Sequence, residues 1–234
     1  MGTRHLICAH IDGEYKLAQY GQWDGYPSGQ GISVLNFLKN ANLEDFKRNL
    51  RTCSYITDAE WDKLWEDIGV DVSKEKFVST EVSNRFYNRN PQFNRDMGAD
   101  ILNYITQSPS GIKLRNSIDF AKDSLFCEWA YVIDFDKGTF EVFQGFNGKP
   151  LNIGERFYND EEPEKSAGGY TYYPVKLCAI FDLLGLPTRE VFLNACDPPE
   201  EGDEYDEEET TETVDDVEDI EEESFLSVLS GQGE

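Results

Sequence analysis

The apolar residues at the start of the chain fall in two short runs, residues 4–11 and 14–20, parted by Asp12-Gly13. That pair accepts the positive φ angles of a type I′ turn, so the runs predict a two-stranded hairpin. A two-residue closure pairs Ile11 with Glu14, His10 with Tyr15, Cys8 with Leu17, Leu6 with Gln19 and His5 with Tyr20. One face then carries Leu6, Cys8 and Leu17, the other Ile7, Ala9 and Ala18. Apolar side chains on both faces predict a hairpin covered on both sides, within a layered structure.

From Ile32 the spacing becomes helical, through Val34, Leu35 and Leu38. Asn42 is placed to cap a helix over 43–50, and Thr57-Asp58-Ala59-Glu60 reads as a capping box. The helix it opens carries Trp61, Leu64, Trp65 and Ile68 on one stripe, a core pattern, and stops at Gly69. Further helices are expected over 73–86 and 98–107, with the polar segment 87–97 as a surface loop. Alternation returns over 126–136 and 139–146, joined through Asp136-Lys137-Gly138, with Trp129, Tyr131, Ile133 and Phe135 on one face. A strand over 170–183 follows, in which Val175, Leu177, Ala179 and Phe181 alternate with Lys176, Cys178, Ile180 and Asp182. Pro174 belongs near its end. Pro187 opens a last helix over 187–195.

These elements predict an α+β fold: the N-terminal hairpin joins later antiparallel strands in a mixed or antiparallel sheet, and the helical stretch 32–107 packs on it. A single globular domain is expected over 1–196. Beyond it the composition changes abruptly. Residues 197–234 hold 18 acidic residues and no Lys or Arg, which leaves 28 acids against 21 bases in the rest of a chain of net charge −25. The extreme charge thus belongs to the tail. With so little apolar surface to offset ordering entropy, 197–234 is expected to be largely disordered. Its end, Ser224-Phe225-Leu226-Ser227-Val228-Leu229-Ser230, is a short apolar motif suited to a groove.

Such acidity disfavours direct nucleic-acid binding and points to a basic protein partner; the tail also fits a solubilising spacer or a nucleic-acid mimic. The five cysteines are scattered and form no CxxC pair, which argues for reduced thiols and a cytoplasmic setting. No apolar run reaches the ~20 residues of a membrane span, so no membrane partner is expected.

One stretch carries most of the candidate chemistry: Tyr20-Gly21-Gln22-Trp23-Asp24-Gly25-Tyr26-Pro27-Ser28-Gly29-Gln30-Gly31. Its glycines allow left-handed backbone and close approach, while Trp23, Tyr26 and Asp24 offer stacking surfaces and a hydrogen-bond acceptor. In a ligand- or partner-binding reading, Gln22 and Gln30 add polar contacts and His5 flanks the loop. The competing reading is a packed Ω-type loop that closes the end of the hairpin. Gly29-Gln30-Gly31 ahead of a helix matches neither phosphate-loop nor dinucleotide fingerprints, and no cofactor is implied.

The two histidines, His5 and His10, fall on opposite faces of one strand, which excludes a His/His metal site there; no metal ligands are assigned. His5 beside Asp24 would suit an acid/base pair, though a histidine serving structure is the commoner case. No Ser-His-Asp or Cys-His set assembles, so no catalytic residue is assigned. An amidohydrolase of the N-terminal-nucleophile class would need Thr3 or Cys8 freed at a processed terminus.

The segments 1–6, 18–31 and Cys127-Glu128-Trp129-Ala130-Tyr131-Val132-Ile133-Asp134 resemble an uncharacterised family of hypothetical proteins of fungi and bacteriophages. That resemblance implies no activity. The expectation is an intracellular, non-enzymatic binding or regulatory protein, an inhibitor among the options, that uses loop 21–31 for a partner or small ligand and its tail for a basic partner. The alternative is a hydrolase or transferase, N-terminal-nucleophile-like, with its site around His5, Asp24 and the loop.

Overall fold

Asp12 and Gly13 take φ angles of 55° and 84°, and on them the chain reverses between β1 (His5–Ile11) and β2 (Glu14–Gly21). The computed structural model describes residues 2–71, 77–158, 163 and 168–196. Near the turn the hairpin register is the expected one, with Ile11 opposite Glu14 and His10 opposite Tyr15. Beyond it the register slips: Ala9 faces Leu17, Cys8 faces Ala18, Leu6 faces Tyr20 and His5 faces Gly21. Lys16 is the extra residue of a β-bulge, and it exchanges the faces expected for Leu17 and Ala18. Leu17 therefore joins Ile7, Ala9 and Ile11, while Ala18 joins Leu6 and Cys8.

A pairing of Ser54–Tyr55 (β3) with Lys113–Leu114 (β4) makes a small separate ribbon. The main sheet is completed by β5 (Trp129–Asp134), β6 (Thr139–Gln144) and β7 (Lys176–Asp182), in the order β2-β1-β5-β6-β7. β1 and β5 run parallel and the other neighbours antiparallel, so the α+β sheet is mixed. β7 is shorter than the expected strand over 170–183. A second bulge, at Cys178, breaks its alternation, so Val175 packs on one face and Ala179 with Phe181 on the other.

The helices on the first face are α1 (Ile32–Asn40), α2 (Leu43–Thr52), α5 (Asp100–Thr106) and α6 (Arg189–Cys196). Their Leu35, Phe46, Ile101 and Phe192 close on Ile7, Tyr131 and Phe140 of the sheet. Asn42 caps α2 through the amides of Glu44 and Asp45, as the sequence implies. The opposite face is covered by turns, with Ala121, Cys127 and Phe157 against Leu6, Cys8, Val132 and Phe143. A third cluster stands off the sheet, where α3 (Asp58–Glu66) packs Trp65 on Phe86 of α4 (Thr80–Arg89) with ring centroids 3.9 Å apart. Thr57 and Glu60 form the full capping box of α3. α4 begins later than the expected helix over 73–86 because Ser79 caps it; residues 72–76 lie outside the described residues. The chain divides into units 1–199 and 200–234, and the expected acidic tail with its apolar end motif lies outside the described residues. Among the described residues no helix is long and apolar enough to cross a membrane.

Candidate functional site

The loop that follows β2 is held from beneath by main-chain bonds. The Gln22 amide donates to the Arg95 carbonyl, the Gly25 amide to Thr3 and the Gln30 amide to Asp24. From the core, the buried Tyr131 hydroxyl donates to the Gly25 carbonyl at 2.7 Å. Asp24 sits in the left-handed region at φ 56°, and its carbonyl comes so close to Gly29 that a Cβ there would meet it at 2.4 Å. Glycine at 29 is therefore required by close approach. Pro27–Gly31 forms one turn of π-helix that runs straight into α1, an element with no period long enough to read in the sequence.

With the backbone so fixed, Trp23 and Tyr26 stand 47% and 54% exposed, and Asp24 is exposed between them. The Trp23 ring leans on Gly2, where a Cβ would lie 2.2 Å from it. The polar residues assigned beside them are placed differently. Gln30 accepts from the Ala99 amide at 2.8 Å, and Gln22 accepts from the Tyr20 hydroxyl at 2.6 Å. Both glutamines thus brace the loop.

His5 is 1% exposed, and its ring lies over Gly21, where a Cβ would sit 2.2 Å from the imidazole. Neither ring nitrogen has a side-chain partner, and burial pulls the imidazole down to about 4, against a weaker upward pull from a backbone bond with Thr3. Among the described residues no hydrogen bond or ion pair joins His5 to Asp24, so the acid/base pair is not assembled. Thr3 is buried, and Cys8 and Cys127 are wholly buried with thiols that desolvation pushes up.

Sequence reasoning missed two residues at this end of the sheet. β1, β5 and β7 start here and β2 and β6 finish here, so the flanking residues share one rim. Phe126 is 46% exposed under the Arg4 guanidinium, 4.8 Å from its ring centroid. Phe146 is 56% exposed and left-handed at φ 52°, an uncommon state for an aromatic residue. It is held there by bonds from its own amide to the Ser124 carbonyl and from the Asn147 amide to the Ser124 hydroxyl. Beside it lies a shallow depression of about 450 Å³ lined by Gln144, Asn147, Lys149, Lys176 and Leu177. Isolated aromatic residues ahead of and behind a strand carry no signal of exposure, which only the pairing of distant strands reveals.

The opposite end of the sheet is polar. Arg156, 8% exposed, joins Asp134 and Glu141 and donates to the Tyr15 hydroxyl at 3.1 Å. Burial pulls this guanidinium down, but those three partners hold it above its ordinary range. Burial likewise pushes the Asp134 carboxyl up, and Arg156 with the Lys137 amide outweighs it, leaving Asp134 below the usual value. No family model, curated protein or solved structure matches the chain.

Proposed function

We propose that the protein is a non-enzymatic binding or regulatory protein that engages a partner, or a small ligand, through loop 21–31. The observation that carries this reading is the exposure of Trp23, Asp24 and Tyr26 on a backbone pinned at Thr3, Arg95, Ala99 and Tyr131. Rigid aromatic groups give large contact area at low entropic cost, and tryptophan and tyrosine are enriched in binding hot spots. Phe126 and Phe146 extend the same rim. A basic partner for the 18-acid segment 197–234, in a cytoplasmic setting, belongs to the same proposal; opposite charge would speed association in a salt-dependent way.

Affinity capture with three forms of the protein tests it: the full chain, a Trp23→Ala/Tyr26→Ala double variant and the chain ended at residue 196. The double variant keeps its circular dichroism spectrum and melting temperature but loses the partner. Shortening lowers the association rate most at low salt. Equal recovery by all three forms refutes the proposal.

A further inference from the structure

The turns after β1 and β5 meet at the polar end of the sheet. In the parallel register His10 stands beside Asp134, and its Nδ1 lies 3.5 Å from Asp134 Oδ1 and 3.1 Å from Asp136 Oδ2. That nitrogen is buried and makes no hydrogen bond of acceptable alignment with either oxygen. The three donor atoms fall within 4.8 Å of one another. The His10 ring is turned toward them by edge contact with Tyr15, centroids 5.1 Å apart.

The two carboxylates are held in place by backbone amides and Arg156. The Asp12 and Gly13 amides donate to Asp136 at 2.9 and 2.8 Å, the Asp136 and Lys137 amides to Asp134 Oδ1 at 3.0 and 2.9 Å, and Arg156 holds Asp134 Oδ2. This is the outer support that metal ligands ordinarily receive. A cation about 2.1 Å from nitrogen and oxygen ligands sets neighbouring donors roughly 3.0 Å apart at a right angle and roughly 3.4 Å at a tetrahedral one. The two separations from His10 Nδ1, 3.1 and 3.5 Å, lie close to that range. Asp134 Oδ1 already accepts two amides, so its bond to a cation is the weakest of the three.

Charge points the same way. Four carboxylates, Asp12, Asp134, Asp136 and Glu141, gather at this end of the sheet; Arg51 is bonded to Asp12 and Arg156 to Asp134 and Glu141, while Lys16 is paired with Glu14. The four carboxylates outnumber the two guanidiniums bonded to them, an excess of negative charge that favours a cation. Asp136 is 38% exposed, which leaves a route from solvent and room for water ligands.

We propose that His10, Asp134 and Asp136 bind one divalent cation of the zinc class. An imidazole with two carboxylates favours Zn²⁺ over Mg²⁺ or Ca²⁺, which prefer all-oxygen sites. The bound ion fastens the Asp12-Gly13 turn to the turn after β5. This site stands apart from loop 21–31 and does not rest on the binding role assigned to that loop.

The test uses the full chain, stripped with chelator and titrated with ZnCl₂ alone. His5 and His10 are the only histidines, so imidazole ¹⁵N spectra report each separately, with buried His5 as an internal control. The expected result is a saturable shift of the His10 resonances at one equivalent of Zn²⁺, with His5 unmoved. His10→Gln, at a partly exposed position and with circular dichroism retained, weakens calorimetric Zn²⁺ binding at least tenfold; Asp136→Asn does the same. An unmoved His10 at submillimolar Zn²⁺, unchanged affinity in His10→Gln, or an equal response to Mg²⁺ overturns the proposal.

Discussion

The Tyr131 hydroxyl donates to the Gly25 carbonyl at 2.7 Å across 106 residues of sequence, and through this bond the centre of the sheet holds the apex of the exposed loop. Tyr131 is wholly buried on β5, and desolvation raises its hydroxyl well above the ordinary value, so it remains a donor throughout the working range of pH. Tyr131→Phe strands a buried carbonyl and is expected to cost about 1–3 kcal/mol in urea unfolding. Amide exchange over residues 22–30 should rise more than exchange in β5.

Arg156 neutralises two carboxylates that are almost out of solvent. Arg156→Met removes the guanidinium and leaves Asp134 and Glu141 buried without their cationic partner, an expected loss of about 3–5 kcal/mol. Adding Asp134→Asn and Glu141→Gln to that variant should return most of it. The wild-type acid limb has a defined sign. Asp134 is lowered in the folded state, so its contribution is present above the unfolded carboxyl value and disappears as pH falls through the folded one. Denaturant midpoints from pH 5 to pH 2 check both statements.

His5 titrates in a different window. Its folded value of about 4 lies below the ordinary 6.5, so below pH 6.5 the unfolded chain takes up a proton that the folded chain refuses. Stability is full above 6.5 and declines toward pH 4 by about 3 kcal/mol. His5→Gln should flatten this part of the pH profile whatever it does to stability at pH 7.

Phe146 holds a left-handed backbone and is 56% exposed. Phe146→Gly relieves that conformation and is expected to raise stability by about 1 kcal/mol, offset in part by glycine's greater freedom in the unfolded chain. If the ring belongs to the recognition rim, the same variant binds the captured partner more weakly. Thermal melts and a binding isotherm on one preparation separate the two effects.

Local signals were legible in the sequence where they act over a few residues. The Asn42 cap, the Thr57 to Glu60 capping box and the Asp12-Gly13 reversal all hold in the structure. So does the shared face of Trp129, Tyr131 and Ile133. Alternation from the turn could not reveal the Lys16 bulge, because a single unpaired residue leaves every apolar position still apolar. The parallel joining of β1 and β5 depends on segments more than 100 residues apart, and the two-residue strands β3 and β4 are too short to carry a period. Of the loop residues, Trp23, Asp24 and Tyr26 stand exposed. His5 is buried, and Gln22 and Gln30 are half-buried and bonded to Tyr20 and the Ala99 amide, because glycine spacing predicts tight backbone but not which side chains brace it.

The unpaired Lys16 is also the one position in the first hairpin where the chain can shorten without any residue changing its neighbour. Deleting it would leave Tyr15 opposite His10 and bring Leu17 directly after it, still opposite Ala9, so that Gly21 keeps its place beneath the His5 ring. Loss of Lys16 should therefore be tolerated, whereas loss of a single residue between Leu17 and Gly21 should not be, because it carries the residues beyond it to the other face.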